Sequence, residues 1–366
     1  MKLALVCDWL TNFAGAERCI LALHEIWPDA PIYTAIYNPS RMPQFKNAKI
    51  IPSFIQRLPF SKIKWQPYLF LMPIAFESFD LSEYDIVIST SHSCSKGIIT
   101  RPRTIHICYC FSPMRYAWDY SQRYIAESNF PKPLKIFIPF LMNYIRVWDK
   151  AAADRVDKFI AISSYIKKRI KKYYGRDSEV IYPPVNCDFY QIKNEQENYF
   201  LIVSRLVPYK RVDIAIKAFL DLKFPLKIIG EGPDKKRLLK LAGSSSNIEF
   251  LGWLPDEKVR EYYQKCLAFI FPQEEDFGIT PLEAQACGRP VIAYKAGGAL
   301  ETILEGKTGI FFEEQTPQAL KEAIKKFDPN SFDPLVIRNH ALKFDVKIFK
   351  EKFRNLIEDI RRDYGI

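Results

Sequence analysis

Residues 271–290 read FPQEEDFGITPLEAQACGRP. The apolar run 267–271 just before this loop is short and unbroken, the pattern of a strand buried on both faces. The chain then turns through Gly278 into a spacing that suits a helix. Pro281 fits the first helical turn, where its missing N–H costs nothing, and Gly288 and Pro290 stop the helix ahead of the apolar run 291–293. A strand therefore delivers a loop to a helix start. Glu275 sits in the loop and Glu283 eight residues later on the helix, so both carboxylates can face one cleft beside unpaired amides that favour negative charge. Such a place can hold hydroxyls and a phosphate together. The competing reading is a solvated acidic loop capping a helix.

Working outward, apolar runs recur at 200–203, 226–229, 248–251, 267–271, 291–293 and 309–312, with helical segments between most of them. That is the signature of a parallel sheet wrapped by helices, an α/β fold. The first run exits into SRLVPYKR (204–211), where Arg205 as a fork and Lys210 as a point charge suit a diphosphate. The third exits into GWLP, carrying Trp253 and Leu254. Nearer the N-terminus, a strand at 3–7, a loop at 8–15 and a helix from 17 to about 27 form a β-loop-α opening. Its loop ends AGAE, and small Gly15 and Ala16 let backbone approach a ligand closely. The absence of Gly-x-Gly-x-x-Gly there argues against a dinucleotide enzyme.

Strand 85–89 runs into TSHSCSKG, at the end of the sheet that faces ligands in open α/β folds. His92 there either contacts a sugar or acceptor hydroxyl or is satisfied inside its own loop. Strand 104–110 exits into FSPMRYAWD, whose Arg115, Tyr116, Trp118 and Asp119 suit an acceptor or an aromatic packing corner. Residues 131–148, with Pro131, Pro133 and Pro139, read as a loop and then an apolar helix that faces a membrane or an acceptor. A strand at 159–163, a basic helix at 167–174 and a strand at 180–182 precede PPVN, where two prolines and a polar stretch to 197 mark a linker.

The 366 residues are comfortable for two domains, expected at 1–182 and 183–343, with a final helix at 344–366. Hydrophobic residues make up 48% and charged residues 26%, and no run of 18 apolar residues occurs. Without a signal-peptide pattern, the chain is expected in the cytosol. Eight cysteines with no Cys-x-x-Cys pair read as buried thiols, so neither zinc nor disulfides are expected. The net charge of +11 is carried mainly by residues 1–190, with 25 Lys and Arg against 16 Asp and Glu. Between Asp29 and Glu77 there is no acidic residue, while six basic ones, including Lys62 and Lys64, alternate with Phe54, Phe60, Trp65 and other large apolar side chains. This composition fits peripheral contact with an anionic membrane surface, or a merely solvated basic face. Nucleic acid fits the charge but lacks any recognised motif.

The segments Glu275-Asp276-Phe277-Gly278, Glu283-Ala284 and Cys287-Gly288-Arg289-Pro290 together resemble the signature of retaining glycosyltransferases of family 4. The resemblance implies a GT-B fold, two Rossmann-like domains with parallel sheets facing a central cleft. It assigns the nucleotide's ribose to Glu283 and the transferred sugar to Glu275 with the amides of Phe277, Gly278, Ile279 and Thr280. Arg205 and Lys210 would hold the diphosphate, Trp253 and Leu254 would lie by the base, and Gly15 and Ala16 would meet the diphosphate and acceptor. Residues 111–119 resemble a block of a bacterial branch containing many mannosyltransferases of surface-polysaccharide assembly. There Phe111 stands where that branch usually has a histidine touching the donor sugar. The implied substrates are a nucleotide sugar, GDP-mannose by preference, and a glycan or polyprenyl-diphosphate-linked oligosaccharide on the cytoplasmic face of the inner membrane. No cofactor and no metal are implied, and no Asp-x-Asp motif is present. The alternatives are a different nucleotide-sugar donor, a pyridoxal-phosphate phosphorylase of similar architecture, and a sensor that binds sugar nucleotides without turnover.

Overall fold

The computed structural model describes residues 1–62, 66–119, 121 and 132–365. Ile63, Lys64 and Trp65 of the basic aromatic interval, and Pro131, lie outside them. The chain divides into two compact units, Met1–Tyr182 with Phe349–Ile366, and Pro183–Ile348.

The first unit is built on seven parallel strands: β1 (Leu3–Cys7), β2 (Ile32–Thr34), β3 (Ile50–Pro52), β4 (Ile86–Ser91), β5 (Ile105–Cys110), β6 (Lys158–Ala161) and β7 (Ser178–Val180). Their spatial order is β3-β2-β1-β4-β5-β6-β7. β1, LALVC, is buried along its whole length because it lies mid-sheet with layers on both faces. Strands β2 and β3 fall in the interval read from sequence as a basic aromatic surface. Three residues are too few to show a period, so flanking composition dominated that reading. Much of the interval is in fact core: Ile36, Ile55, Met72 and Phe76 are fully buried. Helix α1 (Gly15–Ile26) begins two residues before the expected start, because the Glu17 carboxylate reaches back to accept the Ala14 N–H at 3.0 Å. Helices α2 (Met72–Glu77), α3 (Lys132–Asp154) and α4 (Ser164–Tyr174) add to the unit's covering.

The second unit has six parallel strands: β8 (Phe200–Val203), β9 (Leu226–Ile229), β10 (Ile248–Gly252), β11 (Ala268–Phe271), β12 (Val291–Tyr294) and β13 (Gly309–Phe312), in the order β10-β9-β8-β11-β12-β13. The helices are α5 (Val212–Leu222), α6 (Lys235–Ala242), α7 (Asp256–Lys265), α8 (Ile279–Ala286), α9 (Ala299–Thr302), α10 (Pro317–Lys326) and α11 (Pro334–Ala341). The last helix, α12, runs Val346–Tyr364. It starts later than the expected residue 344 because Asp345 is extended and its carboxylate caps the Lys347 N–H at 2.8 Å.

In each unit the strand order reverses beside the first strand, between β1 and β4 and between β8 and β11. Loops leaving the carboxyl ends of two such strands diverge and leave a crevice, the usual ligand position in doubly wound sheets.

Candidate active site

In the second unit the two loops at the reversal point carry the residues singled out by sequence. β8 exits into Arg205, which is exposed, and then into the 3-10 turn Pro208–Lys210. β11 exits into Gln273, Glu274 and Glu275. The Lys210 ammonium forms an ion pair with Glu275 Oε1, and the two side chains are 18% and 23% exposed. The Gln273 amide donates a longer hydrogen bond to the same oxygen at 3.4 Å. A basic and an acidic group 65 residues apart thus meet where the sheet opens.

The loop then turns at Gly278, whose φ of +96° is reserved in practice for glycine, and becomes the N-terminus of α8. Phe277 is buried with its ring against Phe344, at 5.9 Å between centroids, which pins the turn. The turn has a second support that sequence reasoning missed, the Gly297-Gly298 pair after β12. The Gly298 N–H donates to the Glu275 carbonyl at 2.9 Å, and a Cβ on Gly298 would collide with Phe277 backbone. Adjacent glycines after an apolar run were the available signal. One turn into α8, Glu283 is buried and its Oε2 accepts the Tyr263 hydroxyl at 2.9 Å. Burial first, and the Glu283 charge second, push the Tyr263 phenol far above its ordinary range, so it remains a donor. Ile279 and Thr280 are half-buried on the first turn, with Pro281 at its expected place. Arg289 of the same signature is structural: buried, it donates to the carbonyls of Gln264 and Glu195. Trp253 is 73% exposed just past β10, and Leu254 beside it is half-buried.

In the first unit the loops after β1 and β4 meet on Asp8, which sequence reasoning passed over. Its carboxylate is buried and accepts the backbone N–H groups of His92 (2.8 Å), Ser93 (2.9 Å) and Ser95 (2.7 Å). It also lies 3.1 Å from His92 Nδ1. The carboxylate thus fixes both the loop and the imidazole, leaving Nε2 as the ring's other nitrogen. Trp9 and Phe111 flank the ring with centroids at 4.6 and 6.2 Å. His92, Asp8, Phe111, Ala16 and Glu17 line one small cleft. Glu17 is pushed up to about 7, mainly by burial, with Asp8 adding to the rise. Gly15 and Ala16 form the first turn of α1 above it.

Behind the His92 loop stands a buried ion pair between Lys96 and Asp149. Asp149 also accepts from Trp118 Nε1 at 2.7 Å and the Tyr174 hydroxyl at 2.8 Å, and Lys96 donates to the Ser93 carbonyl at 3.0 Å. Tyr116 bonds Ser93 Oγ at 2.7 Å, and Asp119 pairs with Arg169 at 2.8 Å. Tyr116, Trp118 and Asp119 therefore form a packing corner that supports the loop. The eight cysteines are free and buried. Among the described residues no group of three or more His, Cys, Asp or Glu is placed to hold a metal ion.

Comparison with known proteins gives the chain's family and fold. The Glycosyltransferase Family 4 description matches residues 13–189, and the Glycosyl transferases group 1 description matches residues 188–335. The chain belongs to glycosyltransferase family 4. Among its relatives, an uncharacterized glycosyltransferase of Methanocaldococcus jannaschii is 33% identical over 211 residues, 57% of this chain and 60% of that one. The chain thus spans less than two thirds of that relative. The alpha-1,3/1,6-mannosyltransferase ALG2 of Mus musculus is 26% identical, covering 86% of this chain and 85% of the relative. A GDP-mannose-dependent alpha-(1-6)-phosphatidylinositol monomannoside mannosyltransferase of Mycolicibacterium smegmatis is 29% identical over 44% of this chain and 50% of that one. In structure, the sucrose-phosphate synthase of Thermosynechococcus elongatus superposes with a TM-score of 0.76 over 99% of this chain and all of that one, at 16% identity. The fold is therefore GT-B, two Rossmann-like units with parallel sheets.

Proposed function

We propose that this protein is a retaining hexosyltransferase that moves a sugar, mannose from GDP-mannose, onto a hydroxyl of a lipid-linked glycan. The carrying observation is the meeting of Lys210 and Glu275 at the reversal point of the second sheet, in the loop that leads into α8 and its buried Glu283. The reading gives Lys210 and Arg205 the diphosphate, Glu283 the ribose, and Glu275 with the amides of Phe277, Gly278, Ile279 and Thr280 the sugar. Trp253 and Leu254 take the base. As the bond from sugar C1 to the diphosphate oxygen breaks, negative charge grows on the leaving group. Fixed cations and helix-terminus amides stabilise that charge best because they need no reorganisation. In this reading they take the part a divalent metal plays elsewhere. The acceptor oxygen forms its new bond to C1 on the face the diphosphate leaves, and its proton passes to the leaving phosphate. In the first unit the reading gives His92, held by Asp8, a hydroxyl of the acceptor or sugar, and gives Gly15 and Ala16 a contact with the acceptor or diphosphate.

Mannose and guanosine are supported by the two mannosyltransferase relatives, one of them GDP-mannose-dependent by name. A cytoplasmic site of action completes the proposal. The test is a panel of GDP-, UDP- and dTDP-sugars, read by thermal shift and then by product analysis with membrane extract as acceptor. GDP-mannose should give the largest shift and an α-linked product. A larger shift with a UDP-sugar would reject the donor, and an inverted linkage would reject the reaction.

A further inference from the structure

We infer that Arg211 and Gln315 form a strut that fixes the spacing between the Lys210 turn and the Glu275 loop, which makes both of them positioning residues for the transfer. The inference deepens the proposed function and rests on it for the roles of Lys210 and Glu275. Two features of Arg211 are unfavourable where it stands. Its φ of +51° lies in the left-handed region, which glycine enters freely and a residue with a side chain enters at a cost. It is also the N-cap of α5, without a side-chain cap of its own, so it sets a positive charge at the positive end of the helix dipole. Glycine would suit the backbone and an acid would suit the dipole. Arginine suits neither, so the guanidinium itself is what the position uses.

Arg211 Nη1 donates to Gln315 Oε1 at 2.9 Å, and Gln315 Nε2 donates in turn to the Pro272 carbonyl at 3.0 Å. A guanidinium only donates and a carbonyl oxygen only accepts, so the side chain between them must offer an acceptor to the first and a donor to the second. Glutamine does both, and its orientation follows. The topology brings the three residues together: Arg211 follows the Lys210 turn after β8, Pro272 follows β11, and Gln315 lies between β13 and α10. α10 packs on α5, and the hydrogen bond joins the loop that leads into α10 to the start of α5. The two ends of the strut are the two segments that meet at the reversal point. At one end the Arg211 N–H closes the turn onto the Pro208 carbonyl at 3.1 Å, directly after Lys210. At the other, Pro272 stands three residues before Glu275, whose own carbonyl accepts the Gly298 N–H. The Glu275 loop is therefore pinned at Pro272 and again at Glu275. Without the strut the Lys210–Glu275 pair keeps its charges and loses its fixed spacing. A misplacement of about 1 Å at a reacting centre can cost about a hundredfold in rate.

The test uses the full chain with Arg211→Gly, with Gln315→Glu, and with both. Arg211→Gly suits the left-handed backbone and removes the guanidinium, whereas Gln315→Glu keeps the shape but cannot donate to Pro272. The first measurement needs no donor: acetylation of Lys210 by acetic anhydride, read by mass spectrometry against the exposed Lys217 of α5. In each variant Lys210 should react about fivefold faster than in the wild type, with Lys217 unchanged, because the ion pair is loosened. The second is kinetics with the donor beside calorimetry with GDP. kcat should fall about tenfold or more while GDP affinity stays within about threefold, and the double variant should lose no more than the worse single one, since the two residues act as a unit. Unchanged Lys210 labelling in Gln315→Glu would overturn the strut whatever reaction the protein performs. A loss of kcat in Arg211→Gly alone, with Gln315→Glu normal, would overturn it as well, because Arg211 would then touch the substrate itself. Faster labelling with full turnover in both variants would reject the positioning role. A wild type that transfers no sugar would reject the proposed function and the strut's part in it, while the labelling still decides whether the strut exists.

Discussion

Glu275→Gln should strengthen binding of the free nucleoside diphosphate while nearly abolishing transfer. Without ligand, the Lys210 ammonium is paired with Glu275, and the diphosphate must draw it away or share it. Both side chains are less than a quarter exposed, so the pair lies between a surface ion pair, worth under about 1 kcal/mol, and a charged hydrogen bond worth about 2. Removing the carboxylate charge therefore frees Lys210 at a gain of about 1 kcal/mol, or about fivefold in affinity. The Gln273 amide can still hold the substituted side chain. The sugar, however, loses a charged partner whose contact grows toward the transition state, which costs about 3 kcal/mol, a hundredfold or more in kcat. Calorimetry with GDP, beside steady-state kinetics with the donor, reads both numbers. Weaker GDP binding in Glu275→Gln would refute the reasoning, because it would place Glu275 on the nucleotide.

Glu283→Gln should show the reverse split, losing GDP affinity about tenfold with a smaller effect on kcat, and Tyr263→Phe should reproduce part of that loss by releasing the carboxylate from its 2.9 Å hydrogen bond. Arg205→Ala should lower kcat a hundredfold or more with an unchanged melting temperature, since Arg205 is exposed; near-normal turnover would remove it from the diphosphate. Glu17 makes a pH prediction. Its folded pKa of about 7 is raised above the unfolded value, so the native state holds the proton more tightly, and stability is lost as pH rises from about 4.5 to 7. Glu17→Gln should therefore raise the melting temperature at pH 8 relative to wild type, but hardly at pH 4.5, as calorimetry at both pH values would show.

The second unit was nearly transparent in sequence because its strands are four- or five-residue runs, mostly apolar and interrupted only by Lys227 and Glu249, and most are followed at once by glycine, proline or charge. Runs 200–203, 226–229 and 309–312 coincide with β8, β9 and β13 to the residue. The Glu275 loop and α8 were legible for the same reason: Gly278, Pro281 and Gly288 punctuate them. The first unit was harder. β2 and β3 are too short to carry a period, and their basic aromatic surroundings read as surface although Ile55 and Phe76 are core. Asp8 was invisible because its importance lies in partners 84 to 87 residues away, the amides of His92, Ser93 and Ser95. The Lys210–Glu275 pair was half legible. Each residue stood out at a strand end, but only the topology reveals that those ends adjoin.

The composition of the first unit also sets an order of events on the ribosome. Residues 349–366 belong to it, and Phe349 and Phe353 close edge-on over the buried ring of Tyr109, with centroids at 5.7 and 5.2 Å. Residues 1–182 therefore emerge first yet wait, with the Tyr109 side of their sheet uncovered, until all of the second unit has been translated. The half made first is the half finished last. A nascent chain held at about residue 190 would display an apolar patch suited to chaperone capture. Deleting the final 18 residues would injure the unit that begins the chain and spare the one next to the cut.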